Sequence, residues 1–420
     1  MKTTKFFKLS VALVILFTIG ACNKNGETNI KQTDQPKQVT EEMMSEQGLN
    51  PDEVSITENS NGANAALNRP AGEGKDNNGG DNLHYLYTES NSAETNAILV
   101  YEIKHNGSLH LDGTTASGGS GTGGGALGSQ GALVLDKNHE WLYAVNAGNN
   151  SVSSFKVHND GSLTLAYTAH TDGTTPVSVA VHGNMLYVLN RGSDNIHGFW
   201  IGAGGSLTDI NGSTKPLSGT GVDAPQILFT PNGDWVVVTE KATNIVGTFK
   251  VKNDGSVNNG IFTPSVGATP FGFDFARDRF MIVSNAAGGA PGAGTVTSYV
   301  VGNNGVPADV NGAVPDHQAA PCWIAITKHG RFVYTTNTAT NNISSYYLAS
   351  WGGLYLVQTE AAKTGMGPLD IVVAANNFYV YELNSKSNTI GEYRRKHFGG
   401  LEFVGNESGL PAGTTGLATY

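Results

Sequence analysis

The 420-residue sequence has little cysteine, little charge and no helix-forming pattern. Its two cysteines, Cys22 and Cys322, exclude a disulfide framework, and no Cys or His pairs fall at zinc-ligand spacing. Charged residues make up 14% of the chain and leave a formal net charge of −10, which excludes nucleic-acid binding through a general positive field. No stretch carries apolar residues at helical spacing, so the chain reads as all-β. No Gly-x-Ser-x-Gly elbow occurs. Gly123-x-Gly125-x-x-Gly128 matches a dinucleotide fingerprint on paper but lies in a low-complexity glycine loop with no helix pattern after it. No metal and no cofactor is expected.

The one long apolar run, Phe6 to Ile19, follows Lys2, Lys5 and Lys8 and ends in Ile19-Gly20-Ala21-Cys22. A positive start, a short apolar stretch and small residues mark a signal peptide instead of a membrane span. An apolar residue, two small residues and a cysteine resemble the bacterial lipobox. That resemblance implies lipidation of Cys22 and anchoring to the membrane on the periplasmic or cell-surface side of the envelope; the alternative is an ordinary secretory signal in which Cys22 is incidental. Cleavage before Cys22 removes three lysines and no acid, taking the charge from −10 to −13. Residues 22–82 are rich in Asn, Gln, Glu, Gly, Ser and Lys and read as a flexible tether.

From residue 83 onward the chain repeats. Asn106-Gly107, Asp160-Gly161, Gly204-Gly205, Asp254-Gly255, Asn304-Gly305, Gly352-Gly353 and Gly399-Gly400 each precede an apolar residue directly or after one serine, and supply the positive φ of tight hairpins. A second landmark opens an alternating strand at Gln130, Pro176, Pro225, Pro270, Pro321 and Pro368, in steps of 46, 49, 45, 51 and 47 residues. Both landmarks predict seven four-stranded blades. The first blade lacks an opening strand, and Thr414 to Tyr420 falls 46 residues after Pro368, where an eighth is due. The expected fold is a seven-bladed β-propeller over 83–420, closed by its C-terminal strand, with 1–21 as signal peptide and 22–82 as tether.

The repeats resemble the propeller lactonase family, which includes bacterial 6-phosphogluconolactonase and carboxymuconate-lactonizing enzyme. The resemblance rests on blade length, on strand pairs such as His329-Gly-Arg-Phe-Val-Tyr-Thr-Thr-Asn337 followed by Asn342-Ile-Ser-Ser-Tyr346, and on the Asn/Asp-Gly-Ser-Leu hairpins. It implies a hydrolase or lactone-forming enzyme acting on a sugar or aromatic lactone. Family members carry Pro-Arg-His in the stretch matching Ala224-Pro225-Gln226, and a glutamate that matches Glu240. Proline replaces the arginine and Gln226 the histidine; glutamine neither takes nor gives a proton, and no guanidinium fork remains for a carboxylate or phosphate.

Turns within a propeller blade alternate between two faces. The longest irregular segments, Ala116 to Ser129, Asn211 to Asp223, Ala286 to Gly294 and Pro307 to Ala319, all fall on one of them. That face is expected to bind a small lactone, a glycan or a protein partner, unless it merely tolerates insertions. Its candidates are Glu240 as catalytic base and Arg191, Gln226, His317 and Glu382 as ligand-binding groups, with Glu89 beside them. Arg191 either fixes an anion or is a solvated turn residue. Asn146, Asn190, Asn337 and Asn384 read as turn caps, Trp323 as interior packing and Cys322 as a small buried apolar residue. The expected unit is a monomer, and the alternative to an enzyme is a non-catalytic binding propeller.

Overall fold

The computed structural model describes residues 84–420, so the expected signal peptide, Cys22 and the tether lie outside the described residues. The described residues form seven sheets. Six run inner to outer in chain order. The seventh is built from both ends of the described segment: His84–Glu89, Ala97–Ile103 and Leu109–Ala116 make its second, third and outer strands, and Thr415–Thr419 pairs antiparallel with His84–Glu89 as its inner strand. Numbering that sheet blade 1, blades 2 to 7 start their inner strands at Leu133, Pro176, Gln226, Pro270, Pro321 and Pro368. Closure is therefore made by the strand that the repeat count places there.

Sequence patterning follows depth in the blade. Second strands are covered by a neighbouring blade on each side and read as continuous buried runs, such as Trp235–Glu240 and Phe332–Asn337. Outer strands have one solvated side, so Leu163–His170 is buried only at its first residue.

The hairpin glycines also join the blades. Gly161 has φ 74°, and a Cβ there would lie 2.3 Å from the ring of Tyr85 in blade 1. Gly305 stands in the same way 2.4 Å from Trp235, and Gly107 2.1 Å from Tyr379. The carbonyl of Gly161 also accepts a hydrogen bond from Tyr87 Oη at 2.9 Å. Each such turn needs glycine for its φ and for the aromatic ring of the preceding blade that lies against it.

Pro307 to Ala319 differs from its reading as a loop: Pro307–Pro315 is the outer strand of blade 5. The Asn311-Gly312 pair is not a hairpin turn but part of a bulge, where Tyr299 pairs with Asp309 and Thr297 with Ala313. The irregular connection is only residues 316–320.

Candidate functional site

The inner strands present unpaired backbone edges to the central channel, and side chains of other blades satisfy them. Ser178 Oγ of blade 3 accepts from Ile227 N, Gln226 Oε1 of blade 4 from Phe273 N at 2.6 Å, and Asp370 Oδ2 of blade 7 from Leu417 N at 3.1 Å. Gln130 of blade 2 reaches across to blade 6: its Nε2 donates to Ile324 O at 2.7 Å and its Oε1 accepts from Ile324 N at 3.1 Å. The Trp323 indole donates to Ser129 O at 2.9 Å. The glycine-rich segment before Gln130 thus lies over the irregular-face end of the channel, tied also to Asn91 through Gly125 O and to Arg191 through Leu127 O.

Three charged groups meet beside this cap. Arg191 Nη1 donates to Leu127 O at 2.7 Å and lies 3.9 Å from Asp223 Oδ1. Lys241 Nζ lies 3.0 Å from Asp223 Oδ2 and 4.8 Å over the Phe271 ring. Two cations share one carboxylate, so the cluster keeps one net positive charge against an aromatic wall. Burial lowers the Arg191 pKa from its ordinary value, opposed by Asp223. The Phe271 ring packs at a tilt of 52°, 4.7 Å between centroids, against Trp323, which is interior as expected. Cys322 is buried, and burial pushes its thiol up to about 12, far from a nucleophilic thiolate at neutral pH.

The glutamates expected on this face do not point out of it. Glu240 ends the second strand of blade 4, and Glu89 that of blade 1; the corresponding residues of blades 2, 3, 5, 6 and 7 are Asn146, Asn190, Asn285, Asn337 and Asn384. All seven are buried. Asn146, Asn190, Asn285 and Asn337 bond to the segment that follows, as Asn337 does with Asn342 Oδ1 and Ser344 Oγ, both at 2.7 Å, whereas Asn384 departs from its reading as a turn cap and donates to Glu382. Glu240 holds a longer segment: it accepts from Ser218 N at 3.0 Å, from Ser218 Oγ, and from Thr243 Oγ1 at 2.6 Å. Glu382 lies inside blade 7, where Oε2 accepts from Asn384 Nδ2 at 2.9 Å and Oε1 has no partner among the described residues. Burial pushes its pKa up to about 8, and that of Glu89 well above the usual range. Gln226 satisfies a strand edge as described, and His317 is exposed in the 316–320 connection with φ 61°.

A cavity of about 520 Å³ occupies the channel below the cap. Its wall starts at Gln130 and Gln226, passes Asp274 and Asp370, and ends in Ile326, Val373, Thr419 and the Asp136–His139 turn. It therefore opens on the face of short turns, next to a wider depression of about 1190 Å³ that shares His139 and also holds His84, His158 and Lys328. Sequence reasoning missed Lys241, Asp223 and both channel acids. Asp274 and Asp370 were visible as lone charges within otherwise apolar inner strands. Among the described residues no group of three His, Cys, Asp or Glu side chains is placed to hold a metal.

A family model described as lactonase, seven-bladed β-propeller, matches residues 80–223 and 304–415. The chain belongs to this lactonase family. It is 24% identical to 6-phosphogluconolactonase of Bacillus subtilis over 269 residues, covering 59% of this chain and 74% of that protein. The fold is similar to the periplasmic gluconolactonase of Pseudomonas aeruginosa, with a TM-score of 0.61, 17% identity and coverage of 79% of this chain and 98% of the other. It is also similar to a Lactobacillus plantarum protein, with a TM-score of 0.66, 18% identity and coverage of 80% and 99%. The lactonase match skips residues 224–303. Those residues make blade 4 and all of blade 5 except its outer strand, and they include Gln226 and the Glu240 that is bound into a loop.

Proposed function

We propose that the chain is a lactonase-like lipoprotein of the bacterial envelope, anchored through Cys22, whose propeller works as a monomer. It takes a sugar or aromatic lactone, or the ring-opened hydroxy acid, on its irregular face. The observation that carries this reading is the cluster of Arg191, Lys241 and Asp223 against Phe271, with one positive charge in excess. A carboxylate or phosphate pairs with that charge, and the ring of the ligand lies on apolar surface. Similarity to a 6-phosphogluconolactonase supports lactones as the substrate class.

In hydrolysis, water adds to the lactone carbonyl, the ring C–O bond breaks, and the proton taken from water ends on the ring oxygen. For Glu240 to take that proton, the segment carrying Ser218 has to release it first. Its engagement favours a second reading, a non-catalytic propeller that holds a glycan, peptide or protein on the same face.

The test is a panel of sugar and aromatic lactones followed by acid release at constant pH. Hydrolysis above the spontaneous rate is expected, with KM raised about tenfold in Lys241→Met and kcat lowered about 10²-fold in Glu240→Gln. No turnover by the purified chain would leave the binding reading. Turnover undiminished in Glu240→Gln would keep the enzyme and discard Glu240 as its base.

A further inference from the structure

The seven inner strands can be superposed through their pairing with the second strands. The residue facing the position three before the terminal Asn or Glu is Val134 in blade 2, Ala180 in blade 3, Leu228 in blade 4, Ala325 in blade 6, Val372 in blade 7 and Thr419 in blade 1. In blade 5 it is Asp274, opposite Ile282. All of these except Ala180 line the channel cavity. One carboxylate therefore interrupts a ring of aliphatic groups and a threonine, at a level where the propeller needs no charge.

Asp274 has no structural use for that charge. Its Oδ1 accepts from the adjacent Phe275 N at 2.7 Å, while Oδ2 has no hydrogen-bond partner among the described residues. Among the described residues no lysine, arginine or histidine forms an ion pair with it. It is half-buried, and the surface it keeps faces the well. A half-buried carboxylate set among aliphatic groups, with one oxygen free, is stabilised by a cation that brings its own apolar surface. The volume, about 520 Å³, is within the usual range for a small-molecule site. Among the described residues too few acids are gathered for a metal ion.

We propose that this well, entered from the short-turn face, is a binding site for a small aliphatic amine, with the ammonium on Asp274 Oδ2 and the alkyl chain against Leu228, Ala325 and Val372. The site is separate from the lactone reading, because it lies below the Gln130 bridge and opens on the other side of the ring.

Isothermal titration of the full chain with n-pentylamine hydrochloride at pH 7.5 tests this, with 1-pentanol and calcium chloride as comparisons. Pentylammonium is expected to bind one per chain, and pentanol at least tenfold more weakly. Asp274→Asn keeps the shape and is expected to weaken amine binding at least tenfold; Asp274→Leu, which copies blade 4, abolishes it. The titratable groups lining the well are Asp274, Asp370, Asp136, Lys137 and His139. Burial raises the Asp274 pKa to about 6, so amine affinity of the unmodified chain falls as pH drops from 7 to 5. That measurement needs no variant. Absence of amine binding, equal binding of pentanol, displacement of the amine by calcium, an unaltered affinity in Asp274→Asn, or affinity independent of pH over this range each overturns the proposal.

Discussion

Replacing Gly161 by alanine separates the two reasons for a glycine at the blade hairpins. The backbone there has φ 74°, which costs an alanine about 1 kcal/mol more than a glycine. The new Cβ would lie 2.3–2.4 Å from three ring atoms of Tyr85, well inside contact distance, so the ring or the hairpin has to move by about an ångström. Overpacking of this kind costs about 1–3 kcal/mol. Movement also threatens the bond from Tyr87 Oη to the Gly161 carbonyl, worth about 1 kcal/mol. The expected loss is about 3–5 kcal/mol. Gly183 supplies the control, because it has φ 58° and nothing within 4 Å of an added methyl, so Gly183→Ala should lose only about 1 kcal/mol. Urea unfolding followed by tryptophan fluorescence measures both. Equal losses in the two variants would show that the hairpin glycines serve φ alone and do not join the blades.

Deleting Leu417 to Tyr420 removes the buried Leu417 and Ala418, the paired hydrogen bonds between Tyr85 and Tyr420, and the partner of Asp370 Oδ2. The melting temperature should fall by several degrees, and no change would refute closure by this strand. Glu382 has a folded pKa near 8 against 4.5 unfolded, so the folded state holds its proton more tightly and stability declines as pH rises from about 4.5 to 8. Glu382→Gln should flatten part of that decline and raise stability at pH 8 by about 1–3 kcal/mol; an unchanged slope in denaturation curves taken across this range would contradict it. Cys22→Ser should move the protein from the membrane fraction to the soluble one, and membrane association unaltered in that variant would end the lipoprotein proposal.

The blade count was legible because its signals are local. Positive-φ turns and alternating inner strands must recur once per blade whatever the loops do, and a missing opening strand at one end with a spare one at the other leaves little choice of closure. Pro307–Pro315 escaped because Asn-Gly within an outer strand has the same composition whether it turns the chain or bulges it. Contacts across the ring were not legible at all. Gln130 pairs with Ile324, 194 residues away, and nothing local to either announces which end of the channel the glycine-rich segment will close.

Glu240 shows how a repeat supplies its own comparison. Taken alone, it matched a family glutamate and suggested a base. Aligned with the other blades, it stands where five asparagines and Glu89 stand, at a buried position that in every blade but the seventh bonds to the segment that follows. Asparagine suffices where that segment is a tight turn. Blade 4 must also hold residues 217–222, and the second carboxylate oxygen lets one side chain accept from Ser218 twice and from Thr243 as well. The same comparison has the opposite result for Asp274. At its level five of the other blades carry aliphatic side chains and blade 1 carries Thr419, whose hydroxyl donates to Tyr85 O, whereas the free oxygen of Asp274 braces nothing. A departure from the repeat that forms new internal bonds is explained by the fold. One that forms none points outward, to something the fold does not contain.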